Sequence, residues 1–95
     1  MLLAATSKIE KEFIATCNFT NGRIALSKEE SRQNDRKLYC AMLLGNAFHG
    51  KVKIQFSTTE GRRTVETTVW AFTDNFVMLK GGVFIPTESV VSVEL

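Results

Sequence analysis

From Lys51 onward the chain reads KVKIQFSTTEGRRTVETTVWAFTDNFVMLKGGVFIPTESVVSVEL, a run of short alternations of apolar and polar residues divided by turn formers. Val52, Ile54 and Phe56 alternate with Lys51, Lys53 and Gln55, the pattern of a strand with one wet face. Residues 58–61 supply a turn. The next run, about 63–72, puts Val65, Thr67 and Val69 on one side and Trp70 and Phe72 on the other. A flat strand cannot carry both large groups, so a bulge or strong bend is expected. Residues 73–75 form a turn, 76–80 a third strand, Gly81 and Gly82 a tight reversal, and 83–85 a fourth strand. Pro86 stops that strand because proline cannot donate to a sheet ladder. Residues 86–89 suit one helical turn before a last strand at 90–95. Five short strands with a bent second member can curl and close, hiding their edges. The expectation is a mainly β, α+β fold: a small five-stranded barrel with one helix before it.

Ninety-five residues with 44% apolar content suit one small domain with a modest core. A chain of this size buries only about 60–65% of its unfolded surface, so association is a ready source of extra stability. The net charge of +2 permits nucleic-acid binding without arguing for it. Cys17 and Cys40 have no Cys-x-x-Cys spacing, and one histidine cannot complete the usual set of about four zinc ligands. No metal or cofactor is expected, and the cysteines read as two buried free thiols rather than a disulfide. The start, MLLAATSKIEKEF, lacks a basic region ahead of its apolar residues, and no stretch approaches about 18 apolar residues. The chain therefore reads as soluble and cytoplasmic, with no membrane contact, and the sequon at Asn18 as accidental.

Residues 1–26 read as an N-terminal extension, and 27–95 as the helix and barrel. In the extension, Ser7 and Glu10 have the spacing of a capping box. Yet Phe13, Ala15, Cys17 and Phe19 alternate, and Asn21-Gly22 suits a two-residue hairpin turn. A strand or hairpin is favoured over a helix, with a loosely attached segment as the third option. Ser27 and Glu30 repeat the capping-box spacing, and Glu29 and Glu30 suit the positive end of a helix dipole. Leu38, Ala41 and Met42 give an apolar stripe, and Gly45 reads as the helix terminator. The first half of that helix is polar all round. It is either a solvated start or a surface offering Lys28, Arg32, Arg36 and Lys37 to a partner.

The segments GNAF (45–48), KVKI (51–54), VETTVW (65–70) and LKGGVFIP (79–86) resemble small Sm-like and SH3-like barrels, in which a helix precedes five strands and a brief turn joins the last two. The segments LGN (44–46), VETTVW (65–70) and LKGG with the following Ile85-Pro86 are also similar to those of a group of small uncharacterised bacterial proteins. That likeness runs from Leu44 onward and leaves residues 1–26 outside it. The resemblance implies a five-stranded SH3/Sm-like barrel and, for Sm-like proteins, ring assembly and RNA binding. The residues that bind RNA do not carry over. The bacterial Sm-like RNA chaperone has a lysine–histidine pair near its last strand, and residues 88–95 contain neither. The eukaryotic Sm pattern has an Arg-Gly pair between its last two strands, where Pro86 and Thr87 stand here. A shared fold does not bring a shared site.

Among candidate sites, Lys51, Lys53, Arg62, Arg63 and Lys80 are the best basic group. With Phe48, Trp70 or Phe72 they would form a surface where bases stack and phosphates are neutralised. The alternative is a solvated sheet face offset by Glu60 and Glu66. Trp70 reads as core or interface packing before ligand groove. His49 lacks a nucleophile or carboxylate nearby in sequence and reads as a surface loop. Gly81 and Gly82 precede a strand, not a helix, and are hairpin punctuation rather than a phosphate cradle. The residues spell a non-catalytic binding or regulatory module acting through protein contacts and homo-oligomer formation. Single-stranded RNA or DNA binding is the alternative, and a small-molecule sensor built on Trp70 has less support.

Overall fold

Ser27 begins the longest element by capping it. In the computed structural model, which describes residues 7–9, 13, 14 and 17–95, its hydroxyl accepts from the Glu30 amide at 3.1 Å. The Glu30 carboxylate in turn accepts from the Ser27 amide at 3.0 Å, a complete capping box. These hydrogen bonds hold the Glu30 carboxyl below its ordinary pKa, so the cap is at full strength while that group is charged. Helix α1 then runs over Lys28–Phe48. It ends at His49, whose backbone takes the left-handed conformation (φ 55°) that histidine tolerates better than most side chains.

The other elements are strand β1 (Ser7–Lys8), a 3-10 turn at Gly22–Ala25, β2 (Val52–Thr58), β3 (Gly61–Thr67), β4 (Val69–Phe72), β5 (Phe76–Leu79), β6 (Val83–Pro86), a 3-10 turn at Thr87–Ser89 and β7 (Val90–Glu94). They form two sheets, ordered β1-β3-β2-β7 and β4-β5-β6. All pairings are antiparallel except the two-residue β1, which runs parallel to β3. The expected bend lies at Thr68, between β3 and β4. Thr67, Thr68 and Val69 are buried in succession, which a flat strand with alternating faces does not allow. A further register shift falls between Val69 and Ala71, at Trp70.

The helix, the strands and the terminal 3-10 turn follow the expected order, but neither sheet closes. β6 pairs with β5 and β7 pairs with β2, and no ladder joins β6 to β7 among the described residues. Pro86 has no amide to extend such a ladder, and the turn after it carries the chain across to β2. Gly81 and Gly82 make the β5–β6 reversal with positive φ angles of 89° and 78°, as hairpin glycines do.

The N-terminal residues depart from expectation in detail. Ser7 begins a strand, not a helix, while Glu10 and Ala15 lie outside the described residues. Asn21 does not turn a hairpin: its side chain accepts from the Arg23 amide at 3.0 Å and opens the 3-10 turn. Arg23 on that turn is salt-bridged to Asp35 of α1. Phe13 is exposed, whereas Ile14 is fully buried in the core with Leu38, Ile54, Phe56 and Val65. Phe19 packs at the rim of that core, its ring 5.8 Å from Phe56. These residues complete the same core as the strands.

Helix α1 touches both sheets. Asn34, 6% exposed within the apparently polar half, donates to the Val91 carbonyl of β7 at 2.8 Å. Twelve residues on, Asn46 donates to the Trp70 carbonyl of β4 at 3.3 Å. Gly45 lies between them in role: it does not end the helix but lets it approach β4. A Cβ there would stand 2.2 Å from the Val69 carbonyl oxygen and 2.9 Å from Thr68 Cγ2. In an exposed helix, alanine would be preferred to glycine by about 1 kcal/mol. Here the blocking atom is backbone, which no rotamer change relieves, and overpacking of this kind costs about 1–3 kcal/mol or more. Gly45→Ala is therefore expected to lower stability, by about 2 kcal/mol, in urea unfolding. A stabilised variant would show that the helix does not sit against β4.

Candidate functional site

Antiparallel register decides which charges share a face, since directly opposed residues project to the same side. Lys53 of β2 faces Glu66 of β3 on one flank and Glu94 of β7 on the other. Arg62 faces Ser57, four residues further along β2, or about 13 Å at strand rise. Arg63 faces Phe56, on the opposite side of the sheet, and its guanidinium donates to the Arg62 carbonyl at 3.1 Å. Lys51 is exposed just before β2. Trp70 belongs to the other sheet, where its ring meets His49 edge-on at 5.4 Å. Lys51, Lys53, Arg62, Arg63 and Trp70 are thus dispersed, and carboxylates stand on both sides of Lys53.

The remaining chemistry-bearing residues are also occupied structurally. The His49 carbonyl accepts from the Thr68 hydroxyl at 3.3 Å, which fixes the helix end against the bend. Both cysteines are free, but Cys40 is exposed and Cys17 is half-buried, so the expected burial does not hold. Desolvation pushes the Cys17 thiol pKa up, opposed by nearby Arg63 and reinforced by Glu60. That direction disfavours the thiolate, the nucleophilic form. Among the described residues, no three His, Cys, Asp or Glu side chains stand together as a metal-holding group. Among them, too, no helix is long and apolar enough to cross a membrane.

Two apolar surfaces are present instead. In β5 and β6, Val77, Leu79 and Ile85 fill the core, while Phe76 and Phe84 turn outward, 50% and 51% exposed. Their rings meet edge-to-face at 6.0 Å. Beside Phe76 lies a cleft of about 350 Å³ lined by Asp74, Asn75, Phe76, Pro86 and Glu88. Thr87, 1% exposed, fixes both its walls: its amide donates to the Asn75 carbonyl at 3.0 Å and its hydroxyl to the Thr73 carbonyl at 2.9 Å. The second surface is the outward face of α1, where Tyr39, Leu43, Leu44 and Phe48 are all exposed. Tyr39 and Leu43, and likewise Leu44 and Phe48, are one helical turn apart and adjoin on that face.

Sequence reasoning did not find the Phe76–Phe84 pair or the helix face. The available signal was that β5 and β6 are apolar at consecutive positions, the mark of a strand covered on both sides. Compared with known protein families, with curated proteins and with solved structures, the chain has no match.

A base stacked on Trp70 beside neutralised phosphates would quench tryptophan emission, and salt would reverse the effect. The dispersed arrangement leads us to expect no such signal when a short single-stranded oligonucleotide is added at low ionic strength. Saturable quenching relieved by salt would restore the nucleic-acid surface.

Proposed function

We propose that this protein is a non-catalytic binding module that works through protein contacts, self-association first among them. The observation that carries this reading is the pair of exposed apolar surfaces, one on the β5–β6 face and one on α1. Among the described residues, nine large hydrophobic side chains are 40% exposed or more, including all six on these two surfaces. Monomeric proteins rarely leave contiguous apolar patches larger than a few hundred Å² open to water. A chain this short also gains more from association than a large one, because it buries a smaller share of its own surface. The end strands β6 and β7 are paired on one side only, a further property of chains that assemble.

The element order supports placing the chain with the SH3/Sm-like small barrels in an opened form. Helix, β2, the bent β3–β4 pair, β5, β6, a single 3-10 turn and β7 follow one another as in that architecture. The nucleic-acid alternative has weaker support, since Glu66 and Glu94 flank Lys53 and Trp70 faces His49.

Sedimentation velocity over a micromolar to millimolar range tests the proposal. The weight-average mass is expected to rise with concentration. A single-chain mass at every concentration would overturn it.

A further inference from the structure

The two apolar surfaces differ in the charge around them. From Arg36 to Thr59 the sequence holds Arg36, Lys37, Lys51 and Lys53 and no Asp or Glu. Arg36 lies three residues before Tyr39 and seven before Leu43, on the same helical face, and Lys37 lies seven before Leu44. Asp35, one turn before Tyr39, is salt-bridged to Arg23, so Arg36 and Lys37 leave the rim of the exposed helix face net positive. The β5–β6 face has the opposite rim. Asp74 and Glu88 line its cleft and no Lys or Arg does; Lys80, exposed just after β5, is the one basic residue between Asp74 and Glu88 in sequence, so the rim stays net negative.

We propose that the helix face of one copy docks on the Phe76–Phe84 face of the next, with Arg36 and Lys37 directed toward Asp74 and Glu88. This specifies the contact behind the self-association proposed above and rests on it. Pairing either surface with its own copy would set Arg36 and Lys37, or Asp74 and Glu88, against like charges, which disfavours the complex. Pairing them with each other sets opposite signs around an apolar centre rich in Phe, Tyr and Leu. Both partners are preformed: α1 is anchored to both sheets and the cleft walls are held by Thr87, so little ordering is lost on docking. The contact is heterologous, so a dimer keeps one free surface of each kind. Assembly passes beyond the dimer, to a ring if the rotation closes and a filament if it does not.

Two exposed-site variants separate this arrangement from its competitors. Leu43→Glu disables the helix face and keeps the sheet face; Phe84→Glu does the reverse. Both positions are half exposed, so the core is untouched, and circular dichroism checks the fold. Wild type is expected to grow past the dimer, and each variant alone to associate at least about tenfold more weakly. An equimolar mixture should form a 1:1 dimer and stop, because only one functional pair of surfaces remains. If one variant still dimerises alone, or the mixture stays monomeric while wild type assembles, the head-to-tail contact is wrong and self-association stands. If wild type is monomeric at every concentration, both fail. Charge reversal gives a second reading that leaves the apolar groups alone: Asp74→Lys with Glu88→Lys should abolish assembly, and mixing with Arg36→Glu, Lys37→Glu copies should restore growth past the dimer with the two kinds alternating, since both contacts are then complementary. Assembly unchanged by the reversal would remove the charged rim from the contact.

Discussion

Everything in this molecule depends on one helix reaching two sheets. The strands alone form two open ladders joined through the bend at Thr68 and through the turn at Thr87–Ser89. Helix α1 spans the gap, with Asn34 donating to Val91 of one sheet and Asn46 to Trp70 of the other. Between these anchors Leu38 and Ala41 enter the core, and Gly45 brings helix backbone against strand backbone. Buried polar groups of this kind are costly unless satisfied, and Asn34 is satisfied only when β7 is in place. The anchors therefore fix orientation as well as adding stability.

That geometry also sets what the outside displays. With Leu38, Ala41 and Gly45 committed inward, the 3.6-residue period forces Tyr39, Leu43 and Leu44 outward. In β5 and β6 the inward commitment of Val77, Leu79 and Ile85 leaves Phe76 and Phe84 on the open face by the two-residue period. The exposed apolar surfaces are consequences of the core arrangement, and their rims of opposite charge follow from where the sequence keeps its acids and bases.

Much of the fold was legible in the residues, and the reason is local chemistry. The capping box at Ser27 and Glu30, the alternation of Val52, Ile54 and Phe56, the Gly81-Gly82 reversal and the stop at Pro86 each act within a few residues of themselves. What was not legible depends on distant partners. Asn34 looks like surface because its acceptor is 57 positions away. Gly45 looks like a terminator because its neighbour, the Val69 carbonyl, belongs to another element. Ile14 sits in a segment whose alternation suggested that Phe13 would be the buried residue. The dispersal of the basic residues was hidden in the same way, since the register that sets Glu66 and Glu94 beside Lys53 is a property of paired strands.

Native-state hydrogen exchange on the amides of α1, β4 and β7 tests the bridging role of the helix most directly. If α1 holds the two sheets together, its central amides and those of both strands share one opening free energy, equal to that of global unfolding. Exchange of α1, or of β4 to β6, through a lower-energy opening while β2, β3 and β7 remain protected would contradict it.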